Sequence, residues 1–96
     1  MKWCVYMLLC NDNSIYTGIT NDLNKRFKTH ISGKGAKYFR GRKPIDVVYT
    51  EFFINRSMAT RREIEIKKLS RKKKRYLLLN NDKFKELLCL NLNIFL

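Results

Sequence analysis

A chain of 96 residues has room for one domain, whose folding buries roughly 60–65% of the unfolded surface. Hydrophobic residues at 45% and aromatics at 12% exclude a disordered chain, and four glycines with one proline exclude collagen-like and low-complexity classes. Lys and Arg number 21 against 8 Asp and Glu, for a net charge of +13. A domain this basic either meets a polyanion, nucleic acid foremost, or resists self-association.

Residues 3–10 (WCVYMLLC) form an apolar run stopped by the turn cluster Asn11-Asp12-Asn13, and residues 14–20 (SIYTGIT) follow as a β-branched run. The opening therefore reads as an antiparallel hairpin. Its apolar run is too short for a signal h-region or a membrane span, so a soluble intracellular chain with no membrane partner is expected. Asn21 or Asp22 caps a helix with Leu23, Phe27 and Ile31 at i, i+4 and i+8, ended by Gly33-Lys34-Gly35. Residues 36–44 are a basic connector closed by Pro44, and 45–53 (IDVVYTEFF) read as a third strand. Ser57 caps a second helix with Ala59, Ile66 and Leu69 on one side, and a third begins near Ser70 and runs through Leu79. This places a domain over residues 1–80, with 81–96 a C-terminal tail packing on it or extending it. The order β-β-α-β-α-α predicts an α+β fold, a small three-stranded, mostly antiparallel sheet flanked by helices.

Cys4, Cys10 and Cys89 form no short-spaced pair, and His30 lies beside none of them. Reduced thiols serving as apolar fillers are expected, not a disulfide framework or a structural zinc site. Between Lys34 and Arg75 fifteen Lys and Arg stand against four acids. The connector GKGAKYFRGR interleaves Lys34, Lys37, Arg40 and Arg42 with Tyr38 and Phe39, a composition suited to phosphate contacts plus stacking. The densest block, Arg71-Lys72-Lys73-Lys74-Arg75, adds Arg71, Lys72 and Lys73 as candidate contacts. An exposed loop is the alternative for the first segment, and a solvated helix start or a localisation-type tract for the second.

Three polar residues stand where an inward stripe would be apolar. Arg26 and His30 are i, i+4 neighbours bordering the first helix's stripe, and Glu63 lies on the inward side of the second helix. An inward carboxylate is costly unless it is paired, for instance to Arg26, or binds a metal. Tyr6 and Tyr16 share a sheet face only if a three-residue loop sets Cys10 opposite Ser14; a two-residue loop would put them on opposite faces. In that register Tyr6 faces Gly18, which leaves a gap where a backbone or phosphate approaches.

Together these residues resemble the GIY-YIG endonuclease family. Cys4-Val5-Tyr6 aligns with the first half-motif and Tyr16-Thr17-Gly18 with the second. The segments YTGITNDLNKRF, GKGAKYFRGRKPIDVVYTE and RREIEIKKLSR look like the small stand-alone branch related to the nuclease module of the UvrC repair protein. Cys4 replaces the first glycine, Thr17 the second isoleucine, and Ile19 stands where the repair nuclease often has lysine. Asn80 and Asn81 are the candidates for the family's late asparagine.

The resemblance implies phosphodiester hydrolysis, of DNA more than RNA, in repair or processing, with one Mg²⁺ or Mn²⁺ held by Glu63. It further implies Arg26 on the phosphate oxygens, Tyr6 as general base, and Tyr16 and His30 assisting it. Gly18 and the basic residues above would line the nucleic acid, and a monomer is the default state. Two rivals share the size and charge. One is a nucleic-acid-binding domain that keeps the fold only for its basic face; the other is a small basic ribonuclease toxin. The tyrosine pair with Glu63 favours the nuclease, since a pure binder needs no inward acid beside phosphate and a toxin tends to dispense with metal.

Overall fold

An apolar run with no polar alternation suits a strand covered on both faces. That is the position of β1 (Trp3–Cys10), buried continuously from Cys4 to Cys10 at the centre of a sheet ordered β2-β1-β3. The computed structural model describes residues 2–34 and 36–79. Asn80, Asn81, Cys89 and the expected tail over 81–96 lie outside them. Strand β2 (Ile15–Thr20) and strand β3 (Pro44–Phe53) both pair antiparallel to β1. Pro44 opens an edge strand, where its missing N–H costs the ladder nothing.

The hairpin loop has three residues. Cys10 N–H donates to Ser14 O at 2.9 Å, Asn13 N–H to Cys10 O at 3.0 Å, and Asn13 takes φ 66, a left-handed conformation that asparagine tolerates. The register that follows sets Tyr6 opposite Gly18 and Leu8 opposite Tyr16, so both tyrosines stand on one face as expected. On that face Cys4, Tyr6, Leu8 and Cys10 pack with Phe39 and with Leu23 and Phe27 of α1 (Leu23–Ile31). On the other face Val5, Met7 and Leu9 pack with Val48, with Ala59 and Ile66 of α2 (Arg56–Lys67), and with Leu78 of α3 (Arg71–Leu79). The fold is α+β, with helices on both faces of an antiparallel sheet.

The helix ends depart from expectation at two points. Asp22 caps α1, accepting from Lys25 N–H at 3.2 Å, but the cap of α2 is Asn55 rather than Ser57, accepting from Met58 N–H at 2.9 Å. Within α1, Ile31 is 52% exposed and His30 is fully buried, so the helix is turned slightly off its apolar stripe. The connector is not a plain loop either. A 3₁₀ turn at Lys37–Phe39 drives Phe39 into the core. Cys4 and Cys10 are reduced and buried, and burial pushes both thiols up, which makes them inert fillers. Among the described residues no helix is long and apolar enough to cross a membrane.

Candidate active site

The Tyr6 hydroxyl lies 2.8 Å from His30 Nε2, joining the central strand to α1 through a bond whose residues are 1% and 0% exposed. Tyr16 reaches the same spot from β2, its ring 6.1 Å from that of Tyr6 and edge-on to His30 at 5.2 Å. Phe39 closes the other side, 4.3 Å from the imidazole and 4.8 Å from Tyr16. The histidine is thus held by rings from separate elements, and no signal in the connector beyond an aromatic residue pointed to Phe39.

Gly18 makes this possible. A Cβ there would sit 2.6 Å from the Tyr6 hydroxyl and 2.9 Å from Cε2 of Tyr16. The expected gap for a phosphate over Gly18 is therefore filled by the two tyrosines, and the missing side chain admits the Tyr6 hydroxyl to His30. Gly18→Ala should push both buried rings and cost about 1–3 kcal/mol, the usual scale for overpacking. Thermal melts measure this, and an unchanged Tm would mean that the rings are not fixed.

Charge in the cluster follows from burial. It raises the Tyr6 phenol well above its ordinary range, against the Arg26 guanidinium, which favours the phenolate. Burial and then the Arg26 charge lower His30 from 6.5 to about 4. Both groups are neutral at pH 7. The unfolded chain therefore binds a proton at His30 between pH 6.5 and 4 that the folded chain refuses. Stability is full above pH 6.5 and falls as pH drops towards 4, by up to about 3 kcal/mol. Urea melts across that window should show the loss, and His30→Gln should flatten it. Asp12, held at about 2 by its hydrogen bonds from Ser14 and Arg42, adds its own loss only below pH 3.8.

Arg26 is half-buried one turn before His30, and its Nε, like His30 Nδ1, is a buried polar atom with no partner. Glu63 is not its partner. Glu63 sits on α2, which covers the opposite sheet face, and pairs with Lys67 at 3.3 Å; its side chain is 19% exposed. Of the connector cations, Lys34, Lys37 and Arg40 are exposed. Arg42 is already engaged, bonded to Asp12 at 2.6 Å and lying 4.2 Å over the Tyr38 ring. Arg71, Lys72 and Lys73 are exposed on the first turn of α3, and half-buried Lys74 of the same basic run follows them.

Known proteins are similar to this chain over most of its length. The family profile of the GIY-YIG catalytic domain matches residues 2–76. A UPF0213 protein of Bacillus velezensis is 55% identical over 69 residues, covering 72% of this chain and 70% of that protein. One of Clostridium perfringens is 57% identical over 70 residues, covering 73% and 75%. The solution NMR structure of the UPF0213 protein BH0048 from Bacillus halodurans is similar at a TM-score of 0.54 and 51% identity, covering 81% of this chain and 83% of that one. That of the E. faecalis protein EF2693 reaches a TM-score of 0.58 at 42% identity, covering 83% and 85%. The two tyrosine half-motifs, the fold they share and these relatives agree: the chain belongs to the GIY-YIG family, alongside the small stand-alone UPF0213 proteins.

Proposed function

We propose that this protein is a metal-dependent endonuclease that hydrolyses phosphodiester bonds, with DNA the favoured substrate. The observation that carries the reading is the buried Tyr6–His30 bond with the Arg26 charge beside it. Half-buried Tyr16 and Arg26 provide the adjoining surface, and the scissile phosphate rests there. The half-buried Arg26 guanidinium supplies donors for a non-bridging oxygen as charge develops. A tyrosinate is not needed. With its ring hydrogen on Nδ1, His30 accepts the Tyr6 proton at Nε2 while the phenol oxygen takes one from the attacking water. The negative phosphate raises the proton affinity of the neighbouring imidazole at that moment.

The donor chemistry of Glu63 fits a divalent ion. Among the described residues no three His, Cys, Asp or Glu gather into a metal cluster. A hard cation that keeps its waters needs only one or two carboxylates plus a substrate phosphate. Glu63 is partly buried, and its counter-charge is an exposed lysine. Glu63 belongs to the helix on the opposite sheet face from Tyr6 and Arg26, so Mg²⁺ or Mn²⁺ held by it would act as a Lewis acid and steady the leaving 3′ oxygen only on a strand that passes the edge of the sheet.

The deciding assay incubates the protein with labelled single-stranded, duplex and branched substrates in Mg²⁺, Mn²⁺ or EDTA. Cleavage confined to the metal-containing samples is expected. Binding without cleavage in any sample would make it a nucleic-acid-binding domain, and RNA-only cleavage in EDTA a metal-independent ribonuclease. Binding itself should be strongly salt-dependent. With about five to seven phosphates neutralised, log K should fall against log salt with a slope of roughly −4 to −6. Replacing Lys34, Lys37 and Arg40 should flatten the slope by about 0.9 per lost contact, while Arg42, tied to Asp12, contributes less. An unchanged slope would turn the connector away from the substrate.

A further inference from the structure

A concavity of about 240 Å³ lies where the hairpin turn, the 3₁₀ turn and the start of α3 meet, bordered by Asn13, Ser14, Ile15, Tyr38, Arg71 and Lys74. Each element is placed there by its own constraint. The left-handed Asn13 turns the hairpin tip, buried Phe39 anchors the 3₁₀ turn and so positions the half-buried Tyr38, and Leu78 fixes α3 against the sheet. Arg71 and Lys74 are three residues apart and share a helix face, bringing two positive charges to one wall. Lys74 is half-buried although it belongs to a strongly basic run that is otherwise exposed. Arg42 lies over one face of the Tyr38 ring and does not border the cavity. The cavity also adjoins the site already described. Tyr38 is 5.2 Å from Tyr16, which is 5.2 Å from His30.

An aromatic ring, two cations and an amide and hydroxyl rim are complementary to one nucleotide: a base to stack, a phosphate to hold and base edges to hydrogen-bond. The volume is below the roughly 300 Å³ at which pockets for drug-sized ligands begin, a scale for one base rather than a whole ligand. A base offers its flat face only when it has left the stack. We propose that this cavity holds one unpaired nucleotide beside the scissile phosphate, with its base on Tyr38 and its phosphate on Arg71 and Lys74. The substrate class is then single-stranded or locally unpaired nucleic acid rather than uninterrupted duplex. This rests on the endonuclease reading for the meaning of "scissile" but not for the binding itself.

The test is fluorescence anisotropy in EDTA, using a labelled single-stranded oligonucleotide and the blunt duplex of the same sequence. Wild type should prefer the single strand. Tyr38→Ala should weaken single-strand binding by about 5–150-fold, the span measured for losing one stacked base, with duplex affinity unchanged. Tyr38→Phe keeps the ring and should bind as wild type does, which also guards against a folding defect. Lys74→Gln should weaken both substrates and lower the single-strand salt slope by about 0.7. The proposal fails if wild type prefers duplex, if Tyr38→Ala leaves single-strand affinity intact or lowers both equally, or if Tyr38→Phe is as weak as Tyr38→Ala. Cleavage is scored separately in Mg²⁺. A protein that cleaves without Tyr38-dependent binding retains the endonuclease reading and loses the pocket, and one that binds this way without cleaving does the reverse.

Discussion

Glu63→Ala is expected to abolish cleavage while nucleic-acid binding survives nearly intact. The substitution removes the one carboxylate proposed to hold the divalent ion and no cation that meets phosphate. It also releases Lys67, whose charge Glu63 otherwise offsets at 3.3 Å, so affinity should hold or rise slightly. The fold should survive, because an i,i+4 helix pair of this kind contributes only about 0.3–0.5 kcal/mol. Single-turnover cleavage beside anisotropy in EDTA separates the two effects. Cleavage at the wild-type rate would remove the metal from Glu63.

Tyr6→Phe should lower cleavage by about 10²–10⁴-fold, the scale for losing a positioned acid or base. The ring still fills its place between Gly18 and His30, but the hydroxyl bond of 2.8 Å is gone. An unpaired buried nitrogen then costs about 1–3 kcal/mol, so melting should be recorded alongside rate. Tyr16→Phe should cost less if Tyr16 only orients the phosphate. The pH profile carries further information. Since His30 is neutral above about 4 in the free protein, kcat/KM should rise with pH through that value and be flat by about pH 6. His30→Ala should erase the rise. Near-normal cleavage in Tyr6→Phe would move the base role to His30.

Much of this architecture is legible in the residues. The unbroken run over 3–10 announces a central strand because burial on both faces leaves no polar alternation to see. The three-residue Asn-Asp-Asn loop sets the parity of the hairpin, and parity alone decides that Tyr6 and Tyr16 share a face. The half-motifs around those tyrosines were enough to point to the family that the comparisons establish.

Other features were decided only by the tertiary structure. Hydropathy turns Ile31 inward; the structure turns His30 inward instead, because Tyr6 and Phe39, distant in sequence, bring a hydrogen bond and a ring to it. Gly18 reads as an opening, yet the tyrosine opposite fills it, since the lean of one strand's ring over its neighbour is not a property of either strand alone. That Glu63 does not meet Arg26 depends on which sheet face α2 covers, and that Tyr38 and Lys74 border one cavity depends on how the chain wraps the end of the sheet. Local pattern reports the average choice between water and core for each residue. The site is made by a few long-range pairings that local pattern cannot register, because the hydrogen bond and the ring contacts that bury His30 come from residues distant in sequence.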